Sequence, residues 1–184
     1  TVVRSFTIKK ATITDSSVST ISAHQFTGSA IKPSPAVKIG TKTLTAGTDY
    51  ILSYTDNTSI GTACVTVTGK GNYTGTVKRT FGITARNISS VKVSVPTDET
   101  YTGNEITPDI SVSYGDYSFI KDTDYTVTFS NNLNAGTATA TVTGKGTLSG
   151  SKTVSFAIEP ADISSGVSIG VRNTIYNGFA QSPA

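Results

Sequence analysis

The chain has 184 residues, enough for one ordinary domain or two small ones, with 36% apolar residues, only 15% charged residues and a formal net charge of +3. Sixteen Val and 16 Ile stand against 4 Leu, with no Met and no Trp, while 33 Thr and 23 Ser take the place of charge. That palette favours strands and excludes a helix bundle and a typical α/β enzyme. No apolar run nears the ~20 residues of a membrane span, and no signal peptide is visible. Residues 1–92 carry 11 basic and 3 acidic side chains, and residues 93–184 carry 4 and 9. The basic residues are scattered and not interleaved with aromatics, so the gradient reads as drift between solvated faces and predicts no nucleic-acid partner. Cys64 is the only cysteine, which excludes an internal disulfide and leaves the compartment open.

In chain order, residues 1–8 read as a closing strand, because Phe6 and Ile8 precede Phe81 and Ile83 by 75 positions. Residues 9–83 then form a first repeat. Phe26-Thr27-Gly28 leads to Ile31 and Pro33, and Thr48-Asp49-Tyr50 opens a strand in which Tyr50, Leu52 and Tyr54 alternate with polar residues. Asn57 to Gly61 reads as a hairpin loop into Ala63, Val65 and Val67, and Gly69-Lys70-Gly71-Asn72 as a tight turn before a closing strand with Phe81 and Ile83. Cys64 is out of phase with its core-facing neighbours, which predicts a thiol turned away from the core.

Residues 84–158, joined to the first repeat near Ala85-Arg86, repeat this order without a gap, and 25 of the 75 aligned pairs are identical, which establishes a tandem duplication. Val91, Val93 and Val95 open the second copy and Pro96 ends that strand. Tyr101-Thr102-Gly103, Tyr125-Val127-Phe129, the loop Asn131 to Gly136, the string Thr141 to Gly146 and Val154-Phe156-Ile158 follow. Residues 159–184 read as the opening strands of a following, truncated repeat, with Ile163, Tyr176, Gly178 and Pro183 in register. Six or seven short strands per unit predict an all-β chain of two tandem, small immunoglobulin-like β-sandwiches with partial repeats at both ends. β-Grasp-like repeats are the alternative, but that arrangement wants a helix, and no segment has helical spacing.

The run Ala46-Gly47-Thr48-Asp49-Tyr50, Gly61-Thr62-Ala63 and Gly69 to Thr76, closed by Phe81 and Ile83, resembles a repeat of secreted, cell-wall-associated proteins of Gram-positive bacteria. The opening Tyr101-Thr102-Gly103 to Pro108 belongs to the same pattern. The resemblance covers essentially the whole chain and implies bacterial immunoglobulin-like modules, found as adhesin stalks and as accessory modules of surface glycoside hydrolases. The second copy departs from it where Lys121-Asp122 replaces Ala46-Gly47 and Leu148 replaces Tyr73.

The inventory for chemistry is thin, and no catalytic, metal or cofactor-binding residue is assigned. His24 is the single histidine and its counterpart is Glu99, so neither a nucleophilic triad nor a zinc site of ordinary ligands is expected. Asp49 and Asp124 precede strands and read as turn residues, and Asp122-Thr123-Asp124 lacks the Gly and Glu of a calcium loop. Gly69-Lys70-Gly71 and Gly144-Lys145-Gly146 lie between Thr-rich strands, which makes them hairpin turns and not phosphate loops. A Lys–Asn cross-link would need a desolvated amine, whereas Lys70 and Lys145 are expected to be exposed. Tyr73, Tyr114 and Tyr117 are the aromatics near turns, and Tyr114 and Tyr117, whose turn Tyr114-Gly115-Asp116-Tyr117 has no aromatic counterpart in Ile39-Gly40-Thr41-Lys42, are the candidates for a carbohydrate contact. The expected function is a non-catalytic, extracellular spacer or adhesin module. The alternative is a carbohydrate-binding accessory module attached to a polysaccharide-degrading enzyme. Expected partners are neighbouring repeats, a glycan or host-surface ligand, and other molecules through strand pairing of the end segments.

Overall fold

Alternating apolar and hydroxyl residues produce strands along the chain, and the computed structural model, which describes residues 2–97, 99–162 and 164, is all-β. The first half contains β1 (Ala11–Thr12), β2 (His24–Gln25), β3 (Lys38–Ile39), β4 (Lys42–Thr43), β5 (Tyr50–Thr55), β6 (Gly61–Gly69), β7 (Tyr73–Thr74) and β8 (Thr76–Thr84). The second contains β9 (Arg86–Asn87), β10 (Lys92–Ser94), β11 (Glu99–Thr100), β12 (Ser111–Tyr114), β13 (Tyr117–Ser118), β14 (Tyr125–Ser130), β15 (Gly136–Gly144), β16 (Leu148–Ser149) and β17 (Ser151–Glu159). Two three-residue 3-10 turns, Asp15–Ser17 and Ile88–Ser90, are the helical elements among the described residues, so the helix of a β-grasp arrangement is not among them.

The duplication extends to the hydrogen-bonded register. The order β2-β8-β6-β5 in one half is matched by β11-β17-β15-β14 in the other, giving two similar curled four-stranded sheets. Tyr50 faces Gly69 as Tyr125 faces Gly144, and Gly61 faces Ile83 as Gly136 faces Ile158. β1 runs parallel to β7 as β9 does to β16. The isolated bridge Val18–Val37 corresponds to Val93–Val112 in the β10–β12 pair. Identical turn chemistry sustains this register. A Cβ on Gly69 would lie 2.7 Å from the backbone nitrogen of Thr74, and one on Gly144 would lie 2.7 Å from that of Ser149, so neither position accepts a side chain without a backbone shift.

The predicted phase holds. Ala63, Val65 and Val67 are fully buried, and Cys64 between them is half-buried. Ile13, Val18, Val37, Leu44, Tyr50, Val67, Tyr73 and Val77 make one apolar cluster inside the first repeat. Four other core residues of that repeat, Phe26, Ala63, Phe81 and Ile83, belong to a second cluster that runs on into Ile88, Val112, Phe119, Tyr125 and Phe156 of the second repeat. The apolar interior therefore crosses the boundary between the copies. Residues 2–8, the described part of the closing strand expected over 1–8, carry no strand, and the expected opening strands with Ile163, Tyr176, Gly178 and Pro183 lie outside the described residues.

Candidate functional site

The reactive side chains serve local structure. His24 sits on the edge strand β2 with its ring edge-on to Phe81, centroids 5.8 Å apart. Asp49 Oδ2 accepts from the Thr45 amide at 2.9 Å, and Asp124 Oδ2 from the Ile120 amide at 2.8 Å, so both carboxylates tie their turns as expected. Asp124, which is buried, also accepts from the Thr147 hydroxyl. Lys70 and Lys145 are exposed, with Nζ donating to the carbonyls of Gly47 at 2.8 Å and Asp122 at 3.1 Å. The amides of Asn57 and Asn132 donate to the carbonyls of Ile31 at 2.9 Å and Ile106 at 3.1 Å. The residues that a Lys–Asn cross-link would join are thus committed to separate backbone acceptors. Among the described residues no three His, Cys, Asp or Glu side chains converge, and no helix is long and apolar enough to cross a membrane.

The tyrosines separate into two environments. Tyr73 is a core residue, with Lys42 Nζ 5.4 Å from its ring centroid. Tyr114 and Tyr117 end the β12–β13 hairpin of the second repeat, which lies against the loop Thr27-Gly28-Ser29 of the first. Tyr117 stands edge-on to Phe26, centroids 5.4 Å apart at 82°, and edge-on to Phe119 at 5.0 Å and 80°. Such pairs are worth about 0.5–1.5 kcal/mol each beyond the area they bury. Gly28 has φ +77°, and a Cβ there would collide with the Tyr117 ring. This glycine is required twice, for the left-handed backbone and for the ring it receives.

Arg86, just after β8, completes the joint. It is buried, its Nε donates to the Phe26 carbonyl at 2.6 Å, and Nη1 donates to Ser90 Oγ at 3.4 Å. Its guanidinium lies 3.4 Å from the centroid of the Tyr114 ring. A guanidinium stacked on an aromatic face while bonded to a carbonyl is held in one orientation, and the stack is worth about 0.5–2 kcal/mol. The chain direction at the boundary is therefore tied to one aromatic cluster drawn from both repeats. Beside it lies a shallow cleft of about 380 Å³ lined by residues 27–29 and 114–117, with the Asp116 carboxylate exposed on its rim.

The sequence pointed to Tyr114 and Tyr117 as a repeat-specific pair, and the structure brings them together at this boundary. Most of Tyr117 is spent on packing, and one face of Tyr114 is covered by Arg86. Phe26, Gly28 and Arg86 were not recognised as members of the same group. A signal was present: Tyr117 aligns with Lys42, and Arg86 with Ala11 and Ala161, so positions that depart from the repeat converge in space. At the corresponding place in the second repeat no described residue supplies this packing. Tyr101, the counterpart of Phe26, is 38% exposed, whereas Phe26 is 6% exposed. Among the described residues, nothing lies within 4 Å of a Cβ built on Gly103. No family model, curated protein or solved structure matches the chain.

Proposed function

We propose that the chain is a non-catalytic spacer or adhesin module of an extracellular bacterial surface protein. In this reading its immunoglobulin-like units are joined end to end and hold other domains at a set distance and direction. The observation that carries this reading is the joint. Tyr117 packs between Phe26 and Phe119 over Gly28, while Arg86 ties the connecting segment to the Phe26 carbonyl. A linker meant to be a free hinge has no need of a buried arginine and an interlocked aromatic ring. Thr and Ser keep the outward faces polar with little charge, which suits a repeated unit that must stay soluble at many copies. Residual dipolar couplings on the 184-residue chain test the mechanical part: both repeats are expected to fit one alignment tensor, and Tyr117→Ala with Arg86→Ala is expected to split it into two. Two tensors in the unmodified chain would remove the support for a set direction.

A second reading rests on the cleft beside the joint. Tyr114 is 38% exposed and adjoins the exposed Asp116 carboxylate, a pairing of aromatic face and acceptor that suits a sugar ring. A carbohydrate-binding accessory role predicts retention on insoluble polysaccharide that disappears with Tyr114→Ala.

A further inference from the structure

The segment before β1 has a property that neither the joint nor the cleft explains. In β8, Val77, Phe81 and Ile83 are buried. Arg79, on the same face of β8, donates from Nε and Nη2 to the Val18 carbonyl at 3.2 and 3.1 Å and pairs with Asp15 at 2.9 Å. Seventy-five residues earlier the chain reads Val2, Arg4, Phe6 and Ile8, the same residue at each of these four positions. β17, which is in place in its sheet, keeps only two of them, Phe156 and Ile158. Residues 2–8 thus match β8 better than β17 does. Yet Val2, Val3, Phe6 and Ile8 are 83–89% exposed and the segment belongs to no ladder.

We propose that residues 2–8 are a donor strand, which inserts as the last strand of a sheet of this kind in another repeat unit that lacks its own. The slot is defined by β8. The segment would run antiparallel to a strand like β6, with Phe6 opposite the equivalent of Ala63 and Ile8 opposite the equivalent of Gly61. Ile8 would also lie beside the equivalent of His24 on a strand like β2. Arg4 would reach the carbonyl that Arg79 reaches in the first repeat. Among the described residues both such slots are filled, by β8 and β17, so the acceptor is a unit that lies outside them. The chemistry of recognition is main-chain pairing plus two large apolar side chains at alternate positions. The proposal rests on the repeat register and stands whether or not the joint is stiff.

Two experiments test it. In the first, the 184-residue chain is mixed with a fragment of residues 9–75, the first repeat without β8. A one-to-one complex is expected, with protection of the fragment's amides from hydrogen exchange. The double variant Phe6→Asp, Ile8→Asp is expected to weaken it at least about a hundredfold while leaving the chain's own melting temperature unchanged. Binding that survives the double variant would overturn the proposal, as would a fragment that takes up a peptide of residues 76–84 but not the chain. The second experiment needs no fragment. The substitutions Lys78→Val, Thr80→Ser and Gly82→Thr turn residues 77–83 into a copy of residues 2–8 within the intact chain. A Cβ at residue 82 meets Ala23 Cβ at an ordinary 3.5 Å, so a melting temperature within about 3 °C of the unmodified chain is expected. Loss of the cooperative transition would show that this strand does not fit the slot.

Discussion

The two repeats share one register, and they differ most where a neighbour bears on them. At the end of the first repeat Phe26 is covered, Gly28 receives a ring and Arg86 is buried against a carbonyl. At the same place in the second, Tyr101 is exposed, no described residue lies within 4 Å of a Cβ on Gly103, and Ala161 stands at the arginine's position. Residues that hold a sheet together recur in both copies, such as Asp49 and Asp124 or Gly69 and Gly144. At the junction most positions differ between the copies, Phe26 against Tyr101, Arg86 against Ala161 and Tyr117 against Lys42, although Gly28 recurs as Gly103. A duplicated scaffold has thus been made specific at its junction by a few side chains, with the sheets left alone.

That contrast yields paired measurements. The largest difference is expected between Phe26→Ala and Tyr101→Ala. The first empties a packed cluster shared by both repeats and should cost about 3–5 kcal/mol by denaturant unfolding, the second under about 1 kcal/mol. Equal losses would mean that the two ends are equally engaged. Gly28→Ala and Gly103→Ala both force alanine into a left-handed backbone, at about 1–2 kcal/mol each. Only Gly28→Ala also drives a methyl into Tyr117, so it should lose at least about 1 kcal/mol more. Arg86→Ala converts the first junction to the residue found at the second. It should cost about 1–3 kcal/mol, through the lost bond to the Phe26 carbonyl and the lost stack on Tyr114.

The smallest effect is a pH dependence at the alkaline end. Burial, then the negative charges of Asp109, Asp122 and Asp124, raise the Tyr125 hydroxyl above its ordinary 10.0. Burial, then Tyr50, raises Tyr54. Each hydroxyl donates to a carbonyl, Tyr125 to Ile110 at 2.7 Å and Tyr54 to Pro33 at 2.9 Å. A folded pKa above the unfolded value favours the protonated form. The stabilisation is therefore complete below pH 10 and is lost as pH rises through the raised values. Tyr125→Phe and Tyr54→Phe should each lower stability by about 1 kcal/mol at neutral pH and shrink the alkaline loss. An unchanged alkaline midpoint in both variants would remove these tyrosines as its cause.

Much of the fold was legible in the chain itself. The alternation at Ala63-Val65-Val67 and Tyr50-Leu52-Tyr54 and the turns at Gly69 and Gly144 all stand where the pattern placed them, because strand phase and turn geometry depend on residues a few positions apart. The carboxylates were equally readable, since an aspartate before a strand bonds amides within its own turn. The candidate site was half legible. Tyr114 and Tyr117 were singled out for departing from the repeat, but as exposed platforms, and Arg86 passed as a linker residue. Their true setting depends on partners in the other repeat, and no local pattern encodes which of two exposed-looking faces will meet.

By itself, then, the amino-acid order determined an all-β chain, a 75-residue unit, the pairing phase of its strands and the turns between them. Each of these follows from period-two alternation and from glycine's tolerance of close or left-handed backbone. Only the tertiary structure decided that the apolar interior crosses from one copy into the next and that Gly28 makes room for Tyr117. It alone buried Arg86 between a carbonyl and a ring. Those contacts join residues some 30 to 90 positions apart, and their energy exists only once two finished surfaces are brought against each other.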